Sequence, residues 1–152
     1  MARSYEQLKL ENQLCFPLYA CAKEITRRYQ PKLDPLGLTY TQYLVMLALW
    51  EYGAQTVKTL GQRLWLDSGT LTPVLKKLEA KGYVVRRRSE SDERSVVVAL
   101  TPQGEALADR AAVIPMEMGS CVKLSAQEAM QLHGLLYRVL DGMEENHEKP
   151  EK

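Results

Sequence analysis

The chain has 152 residues, 45% of them hydrophobic and 26% charged, with a net charge of +1. That is enough for one domain with a core of its own, and the near-neutral total provides no general attraction to polyanions. The longest apolar run, YLVMLALW at 43–50, falls far short of the roughly twenty residues that span a bilayer. The start, MARSYEQLKLENQ, has no apolar stretch before a small-residue cleavage site. Three cysteines are an odd number for a disulfide framework. A reducing, cytoplasmic setting without membrane association is expected.

In chain order, residues 8, 15, 18, 22, 25 and 29 repeat at helical spacing. They predict a first helix to about Tyr29, stopped by the loop QPKLDPLGL. Proline is tolerated only in a helix's first turn. Pro17 therefore predicts a start only a few residues earlier, with Cys15 in or beside the first turn and residues 5–11 as a separate helical turn. Thr39 to Tyr52 reads as a second helix, and 56–66 as a short third. Asp67 or Ser68 caps a fourth, SGTLTPVLKKLEAKG, whose Leu71, Val74, Leu75 and Leu78 form an inward stripe and whose Gly82 supplies the stop. YVVRRRS and SVVVALT then flank the polar tip ESDER as a hairpin. Thr101 and Pro102 start a helix through about Met118 that Pro115 bends or ends. Ser125, with Glu128 three residues on, is a capping box for the last helix, and the tail NHEKPEK reads as disordered. The expected fold is mainly α with a small β-hairpin.

Helices followed by a two-stranded hairpin are the order of a winged helix-turn-helix. Its recognition helix would present Ser68, Thr70, Thr72, Lys76 and Lys77 to phosphates and base edges in the major groove. Arg86 lies on the basic strand. At the tip, Arg94 could enter the minor groove, with Asp92 two residues earlier holding it in place. Charge supports this reading: from Lys58 to Arg94 nine basic residues face five acidic ones. A solvated charged face explains that count equally well.

The stretch DSGTLTPVLKKLEAKGYVVRRRSESDERSVVVALTPQG (67–104) resembles the DNA-binding lobe of the MarR family of bacterial repressors. The wing pair Asp92 and Arg94 and the following LTPQG are typical of it. ENQLCFPLYA, LDPLGLTYTQYLVMLALWE and LWLDSGTLTPVLKKLE are similar to one branch, the organic-hydroperoxide-sensing regulators called OhrR. The resemblance implies a single MarR-type domain over 1–152, with a winged lobe at 56–100 and dimerisation helices at 5–34 and 102–146. It also implies a homodimer on a pseudo-palindromic double-stranded DNA operator. The apolar faces of residues 8–29 and 130–143 suit such an interface; completing a monomer core is the alternative.

Cys15 lies on an apolar stripe, where an unpaired cysteine is ordinarily buried and inert. Its place near a helix N-terminus favours a thiolate instead. The resemblance makes it the peroxide-sensing thiol, hydrogen-bonded by Tyr29 and Tyr40 with Tyr19 nearby, some of these from the partner subunit. It further implies that Cys121 of the second subunit resolves the sulfenic acid as a disulfide, with organic hydroperoxide as inducer. Cys21 projects from another side of the helix and is read as structural. One rival is a MarR-type repressor relieved by a small phenolic ligand, with the tyrosines and Trp50 lining its pocket. Another is a thiol peroxidase, but no arginine or threonine lies close to Cys15 in sequence, and the chain is read as a regulator rather than an enzyme. No cofactor is implied, and His133 and His147 lack the spacing of metal ligands.

Overall fold

The computed structural model describes residues 5–143. The tail at 146–152 and the end of the expected dimerisation segment at 144–146 lie outside the described residues, as does His147. Two compact units meet in sequence between Tyr40 and Thr41.

In the first unit, two 3-10 turns, Glu6–Leu8 and Leu10–Asn12, precede helix α1 (Cys15–Leu33). The Asn12 amide donates to the Glu6 carbonyl at 2.8 Å and the Gln13 amide to the Gln7 carbonyl at 2.8 Å, which ties the turns together. Cys15 is the first helical residue and Pro17 falls in the first turn, as the sequence predicts. The expected stop near Tyr29 is wrong. The helix continues through Pro31, whose fixed φ is itself helical and which forfeits the bond its own N–H would make. Another 3-10 turn, Asp34–Leu36, follows, and the Leu38 N–H returns to the Leu33 carbonyl at 3.2 Å. Leu33, Leu36 and Leu38 are buried.

The second unit is built round helix α2 (Tyr40–Tyr52), whose Tyr43, Val45, Met46 and Leu49 are buried. They share the core with Leu60, Leu71, Leu75, Leu78, Val84, Val98 and Leu107. Strand β1 (Gln55–Thr56) leads directly into α3 (Val57–Leu64), capped by the Thr56 hydroxyl, which accepts the Thr59 N–H at 3.0 Å. Trp65, at φ +56°, then turns the chain, and the Leu66 N–H reaches the Gly61 carbonyl at 2.9 Å. A side chain at Gly61 would press on the Leu66 carbonyl oxygen at 2.6 Å, so glycine is what makes this turn possible. Helix α4 (Ser68–Ala80) follows, then β2 (Val84–Arg88) and β3 (Val96–Leu100).

The sheet has three antiparallel strands in the order β1-β3-β2, not the bare hairpin expected. Val84 pairs with Leu100 and Arg88 with Val96, while Gln55 and Thr56 pair with Val98 and Val97. The single helix expected from Thr101 to Met118 is two, α5 (Pro102–Ala111) and α6 (Ile114–Gly119), and Pro115 lies in the first turn of the second. Helix α7 (Ala126–Asp141) has the full capping box: Ser125 accepts the Glu128 N–H, and Glu128 accepts the Ser125 N–H.

None of the residues of α7 is buried; Met130 is 69% exposed and Leu135 54%. Leu8, Leu14 and Ile25 are likewise exposed. These apolar side chains stand outside the core just described. Among the described residues no helix is long and apolar enough to cross a membrane.

Candidate nucleic-acid interface and cysteine site

The direction of α4 is set by its cap and its core. The Asp67 carboxylate accepts the Thr70 N–H at 2.8 Å and the Thr70 hydroxyl at 2.9 Å, and these bonds hold its carboxyl below the ordinary carboxylate range. Burial of Leu71, Leu75 and Leu78 turns the opposite side outward. Ser68, Thr72 and Lys76 lie on one i, i+4 line, with Thr70 and Lys77 on an adjoining one. Ser68, Thr70, Lys76 and Lys77 are exposed; Thr72 is half-buried and its hydroxyl donates to the Ser68 carbonyl at 2.7 Å.

At the wing, the Ser89 N–H donates to the Ser95 carbonyl at 2.8 Å and closes the strands. Asp92 organises the tip through the backbone: one carboxylate oxygen accepts the Arg94 N–H at 3.0 Å, the other the Ser95 hydroxyl at 2.8 Å. Both bonds, Ser95 foremost, keep its carboxyl below the ordinary range. The expectation that Asp92 steadies the Arg94 side chain is thus corrected to one of shaping the turn that carries it.

Arg86, expected among the DNA-binding residues, is also held from within the chain. Glu79 of α4 accepts its Nε at 3.0 Å, its Nη2 at 2.8 Å and its backbone N–H at 3.1 Å, so the residue ties β2 to α4. Arg86 pulls the Glu79 carboxyl down in turn. Two other members of the basic stretch are used internally. Lys81 donates to buried Gln42 at 3.0 Å. Arg63 donates to buried Gln55 at 2.7 Å and lies 3.8 Å from the Tyr52 ring centre. A groove of about 660 Å³ runs between the start of α3, the first half of α4 and the base of the wing. It is lined by Ser68, Thr72, Arg86 and Arg94 together with Lys58, which sequence reasoning missed although the basic stretch begins there.

Cys15 is exposed at the first position of α1, and Leu14 before it gives no side-chain cap. Tyr19, one turn further on, is 65% exposed. Tyr29 lies fourteen residues along the same helix, about 21 Å at 1.5 Å per residue. It packs on Tyr40, with ring centres 4.9 Å apart. Burial pushes both phenols up, and Tyr29 adds to the rise at Tyr40, so each retains its O–H as a donor at neutral pH. One chain therefore holds the cysteine and the Tyr29–Tyr40 pair at opposite ends of α1. Cys121 follows α6 in the second unit, half-buried, with its sulfur 3.9 Å from the Glu117 carbonyl. Cys21 is exposed, and no core packing within this chain accounts for it. Trp50, which the rival reading places at a ligand pocket, donates its Nε1 to the Gly104 carbonyl at 3.0 Å, and its ring meets Tyr43 edge-on. His133 is exposed and packs on the Tyr137 ring at 4.7 Å.

Residues 27–111 match the family described as transcriptional regulator SarA/Rot. The chain is also 46% identical to the organic hydroperoxide resistance transcriptional regulator of Bacillus subtilis, over 97% of its own length and all of that protein's. The chain belongs to the MarR-type transcriptional regulators, in the organic hydroperoxide resistance group. Two solved structures of AbfR from Staphylococcus epidermidis extend the likeness. Reduced AbfR bound to DNA is 37% identical over 93% of this chain and 100% of its own, with a TM-score of 0.76. Disulfide-formed AbfR, at the same identity over 93% and 96%, gives 0.61. For a MarR-type regulator the α3-turn-α4 segment and the β2–β3 wing are the expected parts, and all are present here.

Proposed function

We propose that the chain is a redox-responsive DNA-binding repressor that releases its operator when an organic hydroperoxide oxidises Cys15. Two subunits pair through residues 5–34 and 102–146 and leave the lobes at 56–100 free. Each lobe sets α4 in a major groove, with Ser68, Thr70, Thr72, Lys76 and Lys77 facing the duplex and Arg94 in the adjoining minor groove. Paired lobes would meet half-sites about 34–36 Å apart. The observation that carries the sensing role is Cys15 itself, exposed at the first position of α1 with Tyr19 a turn away. Reduced AbfR bound to DNA supports the DNA-binding role, and the existence of a disulfide-formed AbfR supports the switch.

The Cys15 sulfur attacks the distal peroxide oxygen, the O–O bond breaks, and the other oxygen leaves as an alcohol after taking up the thiol's proton. Tyr19, with Tyr29 and Tyr40 supplied by the second subunit, steadies the developing charge. Cys121 of the partner subunit then attacks the sulfenic sulfur, an S–S bond forms and water leaves. A disulfide requires Cα atoms within about 7 Å, so the helices holding the two cysteines must adopt that spacing, and the attached lobes move with them. Differential affinity of about 1–3 kcal/mol is the usual scale of such coupling.

A mobility-shift assay with and without cumene hydroperoxide tests this. Wild type should lose its operator and Cys15→Ser should keep it; equal release of both disproves the sensing role. On non-reducing gels the oxidised dimer band should vanish in Cys121→Ser, and its persistence would reassign the resolving thiol.

A further inference from the structure

We infer that the groove beneath the wing seats the sugar-phosphate strand of the duplex, with Lys58 as a phosphate ligand that anchors DNA regardless of sequence. This rests on the DNA-binding reading above and names a contact within it. When a helix occupies a major groove and the wing next to it enters the minor groove, the backbone strand dividing those grooves must pass between helix and wing. That space is occupied here by the groove of about 660 Å³ between α3, α4 and the wing base.

Its chemistry suits a phosphodiester. Lys58, Arg86 and Arg94 contribute cations, and the Ser68 hydroxyl can donate. Asp67 is the acid on the lining, and both of its oxygens are taken up by Thr70 as the helix cap. Arg86 is oriented by Glu79 through Nε and Nη2, which leaves its remaining N–H groups for a phosphate. Thr72 has spent its donor on the Ser68 carbonyl and serves as wall. Lys58 is exposed near the start of α3, while Arg86 and Arg94 line the same groove from β2 and the wing, so cations from separate elements face the strand. Such contacts carry no sequence information; they fix register and release counterions.

The probe is sheared genomic duplex DNA, read by fluorescence anisotropy over a series of potassium chloride concentrations. For Lys58→Met, the slope of log affinity against log salt should become shallower by about 0.9 for each subunit bound. Lys58→Arg should keep the wild-type slope. An unaltered slope in Lys58→Met, with wild type binding normally, overturns the seat but not the DNA-binding reading. Failure of wild type to bind duplex DNA overturns both.

Discussion

Gly104, the last residue of the LTPQG motif, is the position where a single added methyl should cost most. A Cβ there would land on the Tyr83 carbonyl oxygen and come within 3.3 Å of a Leu100 methyl. Both neighbours are anchored: the Tyr83 carbonyl accepts the Thr101 N–H at 3.1 Å, and Thr101 caps α5 by accepting the Gly104 N–H at 3.0 Å. The Gly104 carbonyl in turn receives the Trp50 indole at 3.0 Å. To make room in Gly104→Ala, α5 has to withdraw from β2 and stretch two or three of these bonds, each of net worth about 1 kcal/mol. Residual overpacking adds about 1–3 kcal/mol, for a total of about 3–6 kcal/mol. At about 2–4 °C per kcal/mol for a chain of this size, Tm should fall by roughly 10 °C. Circular-dichroism melts of reduced protein at one fixed concentration read this directly, since assembly makes Tm depend on concentration. A Tm within about 2 °C of wild type would refute the account of why glycine stands there.

Acid should act through four carboxyls, Asp67, Glu79, Asp92 and Glu128, all held below their ordinary values of 3.8 for Asp and 4.5 for Glu by the hydrogen bonds they accept. A depressed folded value gives stability that is complete above the ordinary value and is lost as pH falls through the folded one. Melts should therefore be level from neutrality to about pH 5 and decline below about pH 4; an unchanged Tm on that descent would contradict it. The exposed face of α7 offers a second measurement. Leu135→Lys with Val139→Lys, one turn apart and 54% and 40% exposed in this chain, should shift light-scattering mass from dimer to monomer, and a persisting dimer would remove α7 from the interface.

Local signals in the sequence were sufficient for local structure. Ser125 with Glu128, Asp67 before α4 and the strands round ESDER each act within a few residues, and all form as expected. Strand β1 escaped notice because two residues, Gln55 and Thr56, become a strand only by pairing with Val98 and Val97 forty residues on. Pro31 misled because a proline gives up its own N–H bond yet keeps a helical φ, so α1 runs two residues beyond it. At the candidate interface the side chains on α4 were readable from its 3.6-residue period. Arg86 was not, since its partner Glu79 sits on another element, and Lys58 joins the groove only through the way α3 packs beside α4.

The length of α1 also bears on when the protein becomes responsive. With Cys15 at one end and the Tyr29–Tyr40 pair about 21 Å away at the other, a freshly synthesised chain would hold only half of the proposed detector. On the function proposed above, pairing would bring the thiol of one copy to the phenols of its sister. Sensitivity to oxidant would then follow mass action, rising with cellular concentration and fading on dilution, so that abundance itself would set the alarm threshold.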